Sequence, residues 1–534
     1  MGVIMRITTQ IMQNNSLSNL NSNKILQDNL NTQITTQKKI TRPSDDPVIA
    51  IRALRLRTNL SEITQYLGKN VEDAESWVSA TEDALKNVSS VLEDMYKQCE
   101  SGSSKSLNSE NRAAILEQLK GLRDEVYSTG DADLANRTLF TGYRTDTKLR
   151  FQENTTDDTY RITENFTADS LSSMTYVNMA DLADINTGNY DTSTTTENDI
   201  TTNAIARIRL AYDSLDAVTG TTTNTADGSA PSLSINGIPI AYTATGATPG
   251  TPTEITFANG TTLKLNFTTV SSGASPSAYD TMNTTNAGEA ADEGTAIYVP
   301  ETGEILISNN LKTAMQNSKG TTLSADYNKS DWESGDLRPE HYFKCTENKN
   351  GKDIAYSGEE QYMEYDVGYN QTMRVNTLAS EVFSHDIGRI VDELMQASQD
   401  VVDIEATITK LTAMVDDSNY DQTEVKEKLA AAEKAQTYLK DKEQKLYASG
   451  MTSMQDHMSQ TNLATTNLGN RDARLALIKT RLTSQQTNFK GLVTENEGAD
   501  VTEVAVQLKS ASTAYDAALL ATSKIVQNSL MNYI

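Results

Sequence analysis

Residues 41–53 read TRPSDDPVIAIRA. Two prolines bracket an acidic pair, and a long apolar-periodic stretch begins immediately afterwards. Pro43 pushes Arg42 towards extended backbone, so a helix arriving from upstream ends by about residue 42. Asp46 can then cap a new helix, with Pro47 at the first helical position, where its missing N–H costs nothing. Asp45 and Asp46 also place negative charge where a helix N-terminus favours it. With Ser44 between them, these residues make a hinge followed by a hard restart.

What restarts is a seam. Alternate steps of four and three from Ile49 visit Ala53, Leu56, Leu60, Ile63, Leu67, Asn70, Ala74, Trp77, Thr81, Ala84, Val88, Val91, Met95 and Gln98. Only Asn70, Thr81 and Gln98 break the apolar run. A seam this long argues for a coiled coil or long bundle helix, with Asn70 read as a register-fixing polar residue. Gly102 and the surrounding ESGSSKS end it. A second helix, about 109–128, returns with Ile115, Leu116, Leu119, Leu122 and Val126 on one face.

The C-terminal third repeats the style. From Ile390 the same steps visit Leu394, Ala397, Val401, Ile404, Ile408, Leu411 and Val415. A turn at 416–420 and a charged helix to about Leu446 predict an αα-hairpin over 390–446. Another helix is expected from near Arg471 through Leu475, Ile478, Leu482, Phe489 and Leu492. The last spans about 501–532, with Val504, Leu508, Ala511, Tyr515, Ala518, Leu519, Ile525 and Leu530 among its apolar residues.

Between about 151 and 365 helical periodicity disappears, and Thr, Ser, Gly and Asn dominate. SLSINGIPIAY and TEITFANGTTLKLNF each set Asn-Gly between alternating apolar residues, a strong hairpin signal. AIYVPETGEILIS is a third candidate. The fold class expected is mainly α, with a β-rich domain inserted into a long coiled-coil-like bundle built from both chain ends. The expected division is an assembly helix over 1–42, bundle over 43–150, insertion over 151–365, bundle over 366–500, and an assembly helix over 501–534. In the first helix Leu17, Leu20, Leu30 and Ile34 are spread among Asn, Gln, Ser and Thr. Such a marginal amphipathic segment is expected to order only against partners.

Charge and composition exclude several functions. The chain of 534 residues carries 46 basic and 72 acidic residues, a net −26, which argues against nucleic acid as a partner. Its two cysteines, Cys99 and Cys345, form no disulfide framework. No apolar run approaches the ~20 residues that cross a bilayer, so membrane insertion is not expected. The opening MGVIMRITTQIMQNNS lacks an apolar signal core, and Arg6 stands where a myristoylation motif wants Ser or Thr. By default such a chain is expected to be cytosolic, or to leave by a route that reads no cleavable signal.

No catalytic motif stands out. The histidines, His341, His385 and His457, lie far apart. His341 and Cys345 are four residues apart, but no second pair completes a zinc site. DLADINTGNYD fails the EF-hand pattern at Ala183 or Gly188. No phosphate-loop, nucleophile-elbow or dinucleotide motif occurs, so neither enzyme activity nor a cofactor is expected.

The N-terminal stretch MRITTQIMQNNSLSNLNSNKILQDNLNTQITTQKKITRPSDDPVIAIRAL resembles the signature of the bacterial flagellin superfamily. Flagellins themselves typically carry small residues at the positions of Pro43 and Pro47, whereas PSDDP is similar to the hook–filament junction branch. ANRTLFTGYRTDTKLRF at 135–151 is similar to that branch too. Departures exist: Thr36, Gln37 and Lys38 replace the usual Ser-Gly-Lys, removing a glycine hinge, and four residues precede Met5, where the family normally begins. The resemblance implies a non-enzymatic, extracellular flagellar subunit joining hook to filament and exported without a cleaved signal. Its implied partners are hook-associated junction protein 1, flagellin, an export chaperone and copies of itself in a ring or helical lattice. The proline-bracketed turn would be a spoke between an inner tube and an outer bundle. A flagellin proper, or a secreted coiled-coil adhesin, are the alternative readings.

Overall fold

The computed structural model describes residues 9–104, 107–179, 181–182, 185–217, 230–244, 251–349 and 351–531. Helices are α1 (Thr9–Thr36), α2 (Pro47–Gln65), α3 (Glu72–Gly102), α4 (Ser109–Thr129), α5 (Ala278–Gly288), α6 (Asn309–Gln316), α7 (His385–Val415), α8 (Gln422–Glu497) and α9 (Val501–Met531). Helices thus stand at both chain ends, with strands between them. The chain divides into two compact units. Unit 1 comprises residues 1–75, 365–373 and 472–534; unit 2 comprises 76–364 and 374–471.

In unit 2 the β-rich insertion forms two sheets. The order in one is Ser172–Asn178, Thr201–Arg209, Glu304–Ile307, Glu293–Val299, Thr262–Thr269 and Tyr242–Thr243, with Thr253–Thr256 also pairing to Thr262–Thr269. The order in the other is Lys352–Tyr356, Lys344–Lys349, Asp158–Thr167, Thr322–Lys329, Ser232–Ile235 and Ile238–Pro239. The three hairpins read from sequence are all present. Asn236 and Gly237 both take positive φ, the backbone a two-residue hairpin turn of this twist requires. Strands 262–269 and 293–299 are parallel, and α5 supplies the crossover that a parallel pair needs. A shared core of Phe151, Tyr160, Leu233, Phe267, Tyr327 and Trp332 holds the sheets together.

The helical part of unit 2 is fastened to this insertion. Val177, Leu182, Ile185 and Ile200 pack against Val401, Ile404, Leu411 and Met414 of α7 and against Val425 and Leu439 of α8. A charged lock adds direction. Buried Arg207 bonds Glu304 at 2.5 Å and Glu393 of α7 at 2.6 Å, and Arg209 reaches Glu393 at 3.1 Å and also pairs with Asp386. Arg112 of α4 is almost fully buried and bonds Glu443 of α8 at 2.9 Å. Gly102 ends α3 where a Cβ would collide with the Tyr447 ring, so a close helix approach demands glycine there.

Three readings of the helices change. The segments expected separately at 421–446 and from 471 are parts of one helix, α8, of 76 residues. Residues 447–470 carry no clear apolar stripe of their own, yet Tyr447, Met454, Thr461 and Leu468 are buried. Tertiary burial thus carries the helix across that stretch, with Gly450 packed close to Cys99. Second, α3 buries Val78, Leu85, Leu92 and Cys99 as well as Trp77 and Val88. This is the wide stripe of a globular helix rather than the narrow seam of a coiled coil. Third, a π turn over Tyr66–Val71 separates α2 from α3. Its added residue puts Val71, fully buried, in the place expected for Asn70. Asn70 instead donates to the Asp366 carbonyl at 2.7 Å.

Candidate assembly segments

The proline-bracketed turn, the assembly-helix residues, the first seam up to Ala74 and the seam residues from Leu475 lie in unit 1, whereas Trp77, Val88 and the rest of the first seam lie in unit 2. α1 ends at Thr36 and the chain reverses at Gln37, whose φ is +55°. A glycine would be at ease in this left-handed backbone; here glutamine occupies it. Lys38 then forms an isolated antiparallel bridge with Gly498, between α8 and α9. The Lys39 N–H donates to the Glu497 carbonyl at 2.7 Å, and the Ala499 N–H donates to the Gln37 carbonyl at 3.0 Å. Lys39 Nζ reaches the Glu495 carbonyl at 2.9 Å. Two chain reversals, far apart in sequence, are therefore stapled to each other. Gly498 permits this, because a Cβ there would strike the Thr494 carbonyl.

The TRPSDDP turn follows. Asp45 Oδ2 accepts from the N–H groups of Arg42, at 2.9 Å, and Thr41, at 3.1 Å. Those backbone donors hold Asp45 below the ordinary carboxylate range. The Asp45 N–H donates to the Arg42 carbonyl at 3.0 Å, closing a turn over Pro43 and Ser44. Asp46 is the N-cap of α2. Its Oδ1 accepts from the N–H groups of Val48, at 2.9 Å, and Ile49, at 3.1 Å, with Pro47 in the first turn. A side-chain cap of this kind is worth about 1 kcal/mol. Asp500 repeats the device for α9, accepting from Thr502 at 2.9 Å and Glu503 at 3.2 Å.

Beyond the turn, polar contacts tie α2 and the start of α3 to the final part of α8. Arg57 pairs with Glu497, Thr64 accepts from Gln486 at 3.1 Å, and Glu75 pairs with Lys479 at 2.6 Å. These contacts run antiparallel. Ile63, Leu475, Ile478 and Leu482 are buried, whereas Leu56, Leu60, Leu67 and Phe489 are half-buried. Trp77 and Val88 are fully buried within unit 2.

α1 and α9 pack on each other. Leu30, Val504 and Ala511 form their buried cluster, flanked by Ile34 and Leu508. Leu20 and Tyr515 are half-buried, and Leu17 and Leu519 are exposed. The side chains of Ile525 and Leu530 lie outside the described residues. Arg57, Glu497 and Gly498 were not singled out from sequence, whereas Gln37 was noted only as standing in place of a glycine hinge. The glycine two residues before the capping Asp500, in EGAD, was the available signal. Among the described residues no cluster of His, Cys, Asp and Glu suits a metal ion, and no helix is long and apolar enough to cross a membrane.

A short antiparallel staple, a capped restart and paired terminal helices are features of scaffolding. Residues 7–145 match the bacterial flagellin N-terminal helical region. Proteins with that region are structural and in general not enzymes. The chain is similar to flagellar hook-associated protein 3 of Salmonella typhimurium, 29% identical over 144 residues, which cover 27% of this chain and 45% of that protein. The protein of the same name from Escherichia coli is 28% identical over 145 residues, with the same coverage. The chain thus spans less than half the length of these curated relatives. A flagellar hook-associated protein 3 from Legionella pneumophila superposes with a TM-score of 0.28 at 11% identity, covering 82% of this chain and 97% of that one. A score of that size is below what a shared overall arrangement gives.

Proposed function

We propose that this flagellin-type chain is a structural subunit of the hook–filament junction of the bacterial flagellum. It would join hook-associated junction protein 1 on the hook side to flagellin on the filament side and be required for motility. The flagellin N-terminal helical region over residues 7–145, shared with relatives named flagellar hook-associated protein 3, carries the reading. The proline-bracketed turn supports it, because Pro43 and Pro47 stand where flagellins carry small residues. In this reading residues 1–42 and 501–534 are assembly segments, and α2, α3 and the end of α8 contribute to a helical bundle. The stapled turns at 37–47 and 497–501 are the spoke between them. Export as unfolded chain with a chaperone fits the absence of any disulfide framework.

The test is localisation on intact flagella with an antibody against unit 2. Junction function gives one focus at the filament base, and deletion of the gene gives cells that secrete flagellin but lack attached filaments. Label along whole filaments would replace this reading with that of a flagellin. Label on the surface of cells without flagella would replace it with an adhesin.

A further inference from the structure

Within unit 2, a cavity of about 550 Å³ opens between the β-rich insertion and the helices α7 and α8. That is the size of a small-molecule site, about 300–1,000 Å³. One part of its wall is apolar. Met174 and Tyr176 come from the strand Ser172–Asn178, Met179 follows it, Tyr279 comes from α5, Ala397 from α7 and Leu439 from α8. The Tyr176 and Tyr279 rings are half-buried and nearly parallel, 18° apart in plane, with centroids separated by 6.4 Å. Their hydroxyls are engaged, Tyr176 with Asp280 and Tyr279 with Glu304 at 3.1 Å. Each tyrosine therefore offers the cavity ring surface, held in place by its own hydrogen bond.

The rest of the wall is charged but almost neutral. Its four cations are all paired: Arg207 with Glu304 and Glu393, Arg209 with Glu393, Arg389 with Asp213 at 3.0 Å, and Lys442 with Asp400 at 3.2 Å. Asp392 is bonded by Arg123 at 2.9 Å. Among the described residues Glu301 is the one carboxylate of the wall without a cation, and it accepts from the Ser272 N–H at 3.1 Å. A phosphate or carboxylate ligand would thus meet six carboxylates and no free cation. A metal ion or an ammonium group would find a single uncompensated carboxylate. Ion-paired carboxylates nevertheless keep lone pairs for further hydrogen bonds, and exposed Gln396 adds an amide at the rim.

We infer that this cavity is a binding site for a neutral saccharide. A sugar ring has the two faces the wall asks for: C–H surface to lay on Tyr176 and Tyr279, and neighbouring hydroxyls to donate to fixed carboxylate oxygens. Burying the first is favourable because it removes apolar area from water. The second loses little to reorganisation, because the ion pairs already hold each acceptor in place. The inference concerns unit 2 alone and does not rest on the junction reading.

The test exposes fluorescently labelled full-length protein to immobilised oligosaccharides: neutral glucans, mannans, galactans and N-acetylhexosamine oligomers, beside sialylated and sulfated chains. Each neutral oligosaccharide that retains the protein is then titrated in free form by calorimetry. Submillimolar binding of at least one neutral chain is expected. Tyr279→Ala should weaken it about tenfold, whereas Tyr279→Phe, which keeps the ring, should bind as the parent does. Gln396→Trp, made at an exposed helix position, should block the cavity and abolish binding. Urea unfolding checks the variants, and if Tyr279→Ala fails to fold, Gln396→Trp decides. Retention by no neutral oligosaccharide, retention by sialylated or sulfated chains only, or binding unchanged in Gln396→Trp would overturn the inference.

Discussion

Replacing Glu164 by Gln should change the stability of unit 2 in a way that depends on pH. Glu164 lies on the strand Asp158–Thr167, almost fully buried, where its carboxylate accepts from the Tyr327 hydroxyl and from the Ala211 N–H at 3.0 Å. Burial pushes its pKa up from 4.5 to about 7, against the opposing effect of those donors and of Arg389. The folded form therefore keeps a proton that the unfolded form has released between pH 4.5 and 7. Stability is highest below 4.5 and falls as pH rises through that window. At about 1.4 kcal/mol per pKa unit, ionised Glu164 costs unit 2 about 3 kcal/mol at neutral pH. Gln reproduces the shape of the protonated acid and keeps an oxygen for the Ala211 N–H.

The variant should thus match the parent near pH 4.5 and exceed it by about 3 kcal/mol above pH 7. Subtracting parent from variant removes the other titrating groups. Asp336, raised to about 6 by burial, acts in the same sense, whereas buried His341 and His385, lowered to about 4 and about 3, act in the opposite one. The assay is urea unfolding followed by emission of Trp332, which stacks on Phe151 in the same core. The only other tryptophan, Trp77, would be replaced by Phe in both proteins. A difference between variant and parent that stays constant from pH 4.5 to 8 would refute the reasoning.

Glu393→Ala should destabilise unit 2 by about 3 kcal/mol, the lower end for breaking a buried ion pair, since Arg207 keeps Glu304 and Arg209 keeps Asp386; unchanged urea unfolding would disprove the lock. Gln37→Gly should stabilise the staple by about 1 kcal/mol by relieving left-handed backbone on a side-chain-bearing residue. Slower amide exchange at Lys39 and Ala499 would register it, and faster exchange would contradict it. Replacing Pro43 and Pro47 together by Ala should leave the free protein folded, because both lie in an exposed turn. Assembly should suffer, giving exported subunit with absent or detached filaments, and normal swimming on firmly attached filaments would exclude the spoke role.

The turn was legible because its grammar is local: proline, aspartate and helix start act within seven residues. The insertion was legible for a related reason. Asn-Gly turns specify hairpins by their own backbone preference, whereas the order of strands within the two sheets depends on contacts between residues up to about a hundred and ninety apart, such as Asp158 with Lys349. The stapling of Lys38 to Gly498 spans most of the chain and has no local signature beyond a glycine. Residues 447–470 keep the four-and-three burial spacing, at Tyr447, Gly450, Met454, His457, Thr461, Ala464 and Leu468, but glycine, histidine and threonine at those positions hide the stripe from a reading of hydrophobicity.

The π turn shows the same division in one element. Counting by fours and threes from Ile63 leads through Leu67 to Asn70, as regular α-helix demands. The chain instead widens over Tyr66–Val71, so that Val71 is buried and Asn70 is turned aside. Nothing within these six residues compels the widening; Gly68, with no neighbour close to its missing side chain, merely permits it. The stabilising contact is the Asn70 amide on the carbonyl of Asp366, in a hairpin 296 residues away. Asn70 was expected to fix register from within the apolar seam; it lies outside the seam, and its partner is backbone from a distant hairpin.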